Sequence, residues 1–259
     1  MNHEQAKAAL PVMLKDLRLP TFLTYWKEIG HQADVDGWGS ARYLANLCEH
    51  EIQARNTRRM SRKLKESGLV PSKSLATFDF GHVPMINKTH IQALGTGDIW
   101  IKQGGNILIF GPSGVGKTHL AHAIGIQLIE HGIRVLVMRT TELVQKLQLA
   151  KQTLTLPSAL KKLDKYDCLI CDDIGYAKRD NHETNVLFEL ISERYERKSM
   201  IITCNQPFSE WDNMFQDKAM AVAAIDRLVH NATILQINVE SFRKASALKK
   251  MENTKASAI

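Results

Sequence analysis

The chain has 259 residues, 44% of them hydrophobic and 24% charged, with a formal net charge of +7. This length and apolar content allow a full core in one sizeable domain with a smaller appendage. No apolar run approaches the roughly 18 residues that span a bilayer, and the opening MNHEQAKAALPVMLKD lacks the basic start and apolar core of a signal peptide. A cytoplasmic protein with no membrane partner is therefore expected.

Residues 1–66 read as helices: LPVMLKDLRL, TFLTYWKEIG and ARYLANLCEHEIQARNTRRMSRKLKE, the last with Leu44, Leu47, Cys48 and Ile52 at helical spacing. The stretch SGLVPSKS, Ser67 to Ser74, holds a Gly, a Pro and three serines and breaks that pattern. The expected organisation is a helical N-terminal domain over 1–66, a linker over 67–75 and a second domain over 76–259. In the second domain, short apolar runs alternate with amphipathic helices. The runs are Asn106 to Phe110, Arg134 to Met138, Cys168 to Cys171, Met200 to Cys204 and Thr233 to Ile237. Between them Leu143, Val144, Leu147 and Ala150 share one helix face, and Leu187, Leu190 and Ile191 share another. Such alternation predicts an α/β fold with a parallel central sheet covered on both faces.

The first domain ends in a concentration of charge. RNTRRMSRKLK carries Arg55, Arg58, Arg59, Arg62, Lys63 and Lys65 and no acid, and so holds nearly all the excess charge of the chain. On a helix, Arg55, Arg58, Arg59, Arg62 and Lys65 form one stripe, whose neighbours repel by roughly a few tenths of a kcal/mol per pair until a polyanion relieves them. A solvated helix face is the alternative. Duplex DNA is the expected partner, contacted mainly at phosphates and with low sequence specificity. Lys178 and Arg179, and Arg243, Lys244, Lys249 and Lys250 in the tail, would add to it.

Three of the four cysteines, Cys168, Cys171 and Cys204, lie in apolar runs. Strand alternation sends Cys168 and Cys171 to opposite faces, and no second CxxC or matched His pair completes a zinc set, so they read as small buried hydrophobes.

GPSGVGKT, spanning Gly111, Pro112, Ser113, Gly114, Val115, Gly116, Lys117 and Thr118, matches the phosphate-binding pattern G-x-x-x-x-G-K-[ST] at every fixed position. It follows an apolar strand and opens a helix beginning with His119, which is the context that the motif needs. The glycines turn backbone N–H groups toward phosphate and the helix N-terminus adds its dipole. ATP with Mg²⁺ is the implied cofactor pair: Lys117 would meet the β and γ phosphates and Thr118 would ligate the metal. His119 and His122 lack a third ligand and read as helix-packing or surface residues. LICDD ends the next-but-one strand in Asp172 and Asp173, where α/β sheets bind ligands. Asp172 is a natural second-sphere Mg²⁺ partner, and Asp173 can orient or deprotonate an attacking water. Asn205, at the end of a further strand, can hydrogen-bond the γ phosphate or the water, or start an Asx-turn. Arg227 sits on a helix before the last strand. Phe78 and Phe80 can pack near the base or in the core.

Taken in order, these motifs resemble the AAA+ ATPases, and within them the group of IstB-like transposition helpers and the helicase loaders DnaC and DnaI. The likeness to the IstB-like family covers almost the whole chain: LRLPTF, the basic helix, FDFGH, GPSGVGKTHLAHAIG, DDIGY, LISERYERKSMIITCNQPFSEW, DRLVH and ESFRK. It implies an AAA+ P-loop NTPase preceded by a small all-helical domain. Lys117 and Thr118 would be Walker A, Asp172 and Asp173 Walker B, Asn205 sensor 1, and Arg227 an arginine finger reaching a neighbouring subunit. Asp173 stands where Glu is commoner, consistent with a slow ATPase stimulated by assembly, DNA or partner. The residues after Ile237 are too few for the usual C-terminal helical lid. The function implied is an ATP-dependent DNA-binding regulator of transposition, a homo-oligomer joined through its ATP sites, acting on an IstA-type transposase. A loader of a DnaB-type replicative helicase is the alternative.

Overall fold

Each of the five apolar runs forms a strand: β1 Asn106–Phe110, β2 Val135–Arg139, β3 Cys168–Asp172, β4 Ser199–Cys204 and β5 Ala232–Gln236. The computed structural model describes residues 2–175, 181–206, 210–211 and 217–242. Among these, the strands form one sheet in the order β2-β3-β4-β1-β5, every pairing parallel. The fold is that of an α/β P-loop protein.

Helices cover both faces, and the strands alternate between them. Leu108, Phe110, Leu169, Cys171, Met200 and Ile202 face one core, shared with α6 (Thr140–Gln152), α8 (Asn181–Arg194) and α9 (Lys218–Val229). Ile107, Ile109, Cys168, Ile170 and Ile201 face the other, shared with α4 (Lys88–Thr96) and α5 (Lys117–Glu130). This two-residue period places Cys168 and Cys171 in different cores, as alternation requires. Burying a Leu or Ile on such a surface stabilises by about 1.5–3 kcal/mol before entropy is counted. The amphipathic faces are also as read: Leu143, Val144, Leu147 and Ala150 are buried, and so are Leu187, Leu190 and Ile191.

The chain divides into two compact units, Met1–Arg62 and Lys63–Ile259. The first contains α1 (His3–Asp16), α2 (Pro20–Val35) and most of α3 (Ser40–Ser67) around Leu14, Phe22, Ile29 and Leu47. Pro20 opens α2, where its fixed φ and missing N–H are harmless. Of the α3 positions Leu44, Leu47, Cys48 and Ile52, only Leu47 is buried; the others are exposed. The inward face of α3 instead includes Glu51, 4% exposed, which accepts hydrogen bonds from the Thr21 N–H at 2.9 Å and Arg55 Nε at 2.7 Å. An acid is tolerated there because it caps the start of α2 and is charge-paired.

In the second unit α3 ends at Ser67, whose hydroxyl donates to the Leu64 carbonyl at 2.7 Å and accepts from the Leu69 N–H at 3.1 Å, and Gly68 follows with a φ of 72°. Leu69 and Phe78 join the α4 and α5 core. A further helix, α7 (Leu156–Leu163), follows α6. Among the described residues no helix is long and apolar enough to cross a membrane.

Candidate nucleotide site

β1 ends at Phe110 and the chain turns at once into a loop that opens α5. Glycine at both ends makes the turn possible. Gly111 has a φ of 151°, and a side chain there would run into the Ile237 carbonyl; Gly116 has a φ of 102° and caps α5. The loop is fastened from outside. The Gly111 N–H donates to the Cys204 carbonyl at 3.2 Å, and the Phe242 N–H donates to the Gly114 carbonyl at 3.1 Å. Lys117 is buried, its Nζ donating to the carbonyls of Gly111 and Pro112 at 2.8 Å each.

The loop from Ser113 to His119 walls a cavity of about 310 Å³, which Asp173, Thr203 and Asn205 also line. The sheet order explains the meeting, because β4 lies between β1 and β3 and all three end at the same edge. Asp172 joins the loop directly. Its Oδ1 accepts from Thr118 Oγ1 at 2.9 Å and its Oδ2 from the same hydroxyl at 3.1 Å. Oδ1 also accepts from Thr203 Oγ1 at 2.7 Å, and the Asp172 carbonyl accepts from Thr140 Oγ1 at 3.0 Å. A hydroxyl and a carboxylate in contact are hard oxygen donors of the kind that Mg²⁺ prefers.

Asp173 has a φ of 65°, in the left-handed region that few non-glycine residues adopt, Asp and Asn more readily than most. Asn205 Oδ1 is buried without a hydrogen-bond partner among the described residues. Thr77, Phe78, Asp79, His82 and Phe242 line the same cavity. Phe78 is 8% exposed, packs edge-on against Phe80 and His119, and borders the cavity. His119 lines the cavity, its Nε2 3.0 Å from the Ser74 carbonyl and 3.2 Å from Thr77 Oγ1. His122 packs rather than ligates: it is 5% exposed and its Nδ1 accepts from the Val70 N–H at 3.1 Å.

Among the side chains missed in the sequence, Thr203 and Thr140 are the ones that hydrogen-bond Asp172. Thr203 could have been found as the polar interruption in IITC, next to the strand that carries the carboxylates.

Arg227 is not in the cavity wall. It lies on α9 with its guanidinium over the Phe188 ring and its Nη1 donating to Ser192 Oγ. The basic residues of α3 differ among themselves. Arg55 and Arg58 are exposed but engaged: Arg55 pairs with Glu51 at 2.7 Å and donates to the Arg18 carbonyl at 3.0 Å, and Arg58 reaches Glu51 at 3.7 Å. Arg59, Arg62 and Lys65 are exposed, and Lys63, half-buried, donates to the Gly132 carbonyl. Lys178, Arg179, Arg243, Lys244, Lys249 and Lys250 lie outside the described residues, as do residues 243–259, most of the stretch read as too short for a lid.

The chain resembles an insertion sequence ATP-binding protein of Sinorhizobium fredii, 55% identical over 242 residues, covering 93% of this chain and 81% of that one. A second relative, an insertion sequence IS21 ATP-binding protein of Pseudomonas aeruginosa, is 35% identical over 234 residues, 90% of this chain and 88% of that one. Among solved structures the DnaC helicase loader has a TM-score of 0.54 at 22% identity, over 64% of this chain and 97% of that one. AMPPCP-bound DnaA of Aquifex aeolicus has a TM-score of 0.55 at 19% identity, over 72% of this chain and 56% of that one. These likenesses show the AAA+ fold. The family described as IstB-like ATP binding protein matches residues 12–250, so the chain belongs to that family and is an AAA+ ATPase.

Proposed function

We propose that the chain is an ATP-dependent, DNA-binding regulator of transposition that self-assembles on duplex DNA and delivers or activates an IstA-type transposase. The observation that carries the reading is the junction of Thr118 with Asp172, which brings the phosphate loop and the end of β3 to one cavity. Relatives named as insertion sequence ATP-binding proteins support the transposition context. In this reading Lys117 and the amides of Ser113 to Thr118 hold the triphosphate, with Gly111 and Pro112 shaping the turn and His119 behind them. Thr118 and Asp172 hold Mg²⁺, which neutralises phosphate charge when bound. Asp173 orients the attacking water, Asn205 hydrogen-bonds the γ phosphate or that water, and Arg227 acts on the site of a neighbouring subunit. The exposed Arg59 and Arg62 of α3, with Arg55, Arg58, Lys63 and Lys65, would meet DNA phosphates. The strand-transfer chemistry belongs to the transposase.

The test is fluorescence anisotropy of a labelled duplex with ATP, with ADP and without nucleotide, with the complexes sized in parallel and the series repeated for Lys117→Ala. The expected result is tight binding and large complexes with ATP alone, both lost in Lys117→Ala. Binding that ignores nucleotide, by a species that stays monomeric, overturns the proposal and turns attention to the helicase-loader alternative.

A further inference from the structure

Thr203 is the residue through which β4 grips the end of β3. It is 1% exposed and is the one hydroxyl in the run IITC. Its Oγ1 donates to Asp172 Oδ1 at 2.7 Å and accepts from the Asp173 N–H at 2.8 Å. Its carbonyl accepts from the Ile174 N–H at 3.0 Å. Three consecutive residues, Asp172, Asp173 and Ile174, are therefore fastened to one.

The middle residue is where a fastening matters most. Asp173 has a φ of 65°, and a strained conformation persists only where its surroundings over-determine it. A hydroxyl is the group that meets both needs at once, since it carries one donor and two acceptor lone pairs. Valine has nearly the same shape but would strip a donor from Asp172 and an acceptor from the Asp173 amide. Thr118 also donates to Asp172, yet Thr118 is itself the residue read as a metal ligand. Once that hydroxyl turns to a metal, Thr203 is the remaining side-chain donor to the Asp172 carboxylate among the described residues.

We infer that Thr203 is a positioning residue: it aims the Asp172 carboxylate at Mg²⁺ and sets the turn from which Asp173 addresses the attacking water. The inference rests on the ATPase reading of the site. It is tested on the native chain, Thr203→Val and Thr203→Ser. Binding of a fluorescent ATP analogue is titrated with Mg²⁺, and steady-state hydrolysis is measured beside it. In EDTA the three proteins are expected to bind nucleotide alike. For Thr203→Val the Mg²⁺ concentration for half-saturation rises, and kcat falls, each by about 10- to 100-fold, the usual cost of losing a residue that orients a metal ligand. Thr203→Ser, which keeps the hydroxyl, restores most of both. A Thr203→Val protein with native Mg²⁺ dependence and kcat overturns the inference, as does Thr203→Ser being as impaired as Thr203→Val, which would assign the effect to the methyl group. Should Thr203→Val not fold, Thr203→Ala is read in the same titration. If the native protein fails to hydrolyse ATP, the ATPase reading falls while the Mg²⁺ titration still decides the role of Thr203.

Discussion

Arg227 places its guanidinium carbon 4.8 Å from the centroid of the Phe188 ring, with Nη1 on the hydroxyl of Ser192. The residue proposed to act on a neighbouring subunit is thus held on α8 of its own chain. The hold is weak, because a cation over a partly exposed ring is worth about 0.5–1 kcal/mol. An arginine finger is worth about 10³-fold or more in turnover, so assembly can outbid the hold. Arg227→Ala is expected to keep nucleotide affinity, lose about 1 kcal/mol of stability, and lose at least about 10³-fold in assembled turnover. Mixing it with Lys117→Ala subunits separates the readings. Recovered hydrolysis means that Arg227 works across subunits; no recovery, with full activity in Arg227→Ala alone, makes it a packing residue.

Gly175 follows the two aspartates, and a side chain there has nowhere to go. A Cβ would lie 2.7 Å from Asn205 Oδ1 and 2.9 Å from Cys204 Sγ. Gly175→Ala is expected to cost about 1–3 kcal/mol by overpacking and to displace Asn205 from the cavity. Turnover should fall by about tenfold or more while nucleotide binding, which depends on the Gly111 to Thr118 loop, persists. Unchanged kcat with lowered Tm would separate Asn205 from the chemistry.

The parts legible in the sequence are those whose physics is local. All five strands lie within a residue of the apolar runs because a strand covered on both faces has no polar alternation to confuse it. The phosphate loop is legible because its glycines answer backbone needs, as the φ values of Gly111 and Gly116 show. What escaped was decided between elements. The spacing of Leu44, Cys48 and Ile52 is helical, but spacing does not say which side of α3 meets a neighbour; the burial of Glu51 depends on Thr21 and Arg55, contacts that no periodicity reports. The helices α4 and α7, of nine and eight residues, are too short for a periodic pattern to stand out. Thr203 is an ordinary strand residue until β3 is laid beside it.

Glu51 is a test of that buried contact. Burial pushes its carboxyl pKa up, and hydrogen bonds from Arg55 and Thr21 outweigh this, leaving it below the ordinary value. The Arg55 hydrogen bond comes first and the Thr21 cap adds to it, with solvent screening the share of the exposed Arg55. Glu51→Gln is expected to destabilise the helical unit Met1–Arg62 by about 1–3 kcal/mol. Urea unfolding followed by far-UV circular dichroism should show an earlier loss of helix. An unchanged midpoint would mean that the glutamine amide oxygen serves the Thr21 N–H as well as the carboxylate does.

His122 makes stability depend on pH in a stated window. Its pKa is lowered from 6.5 to about 4, first by burial and then by the nearby charge of Lys73, against the opposing pull of Asp172. The neutral ring is also what the fold uses, because Nδ1 accepts the Val70 N–H. Since the folded value lies below the unfolded one, the unfolded chain takes up the proton first as acid is added. The contribution of His122 is therefore complete above pH 6.5 and is lost as pH falls toward 4. It amounts to on the order of 3 kcal/mol over the whole window. Asp167 is held at about 2, its hydrogen bonds from Arg134 and Lys198 outweighing burial, so its own loss comes in stronger acid. In His122→Asn the side-chain oxygen can still accept from Val70 but cannot titrate. Urea midpoints at neutral pH, pH about 6 and pH about 5 should fall steeply for the native protein and more gently for His122→Asn. Parallel losses in the two proteins would move the acid sensitivity to other groups and leave His122 a pH-independent packing residue.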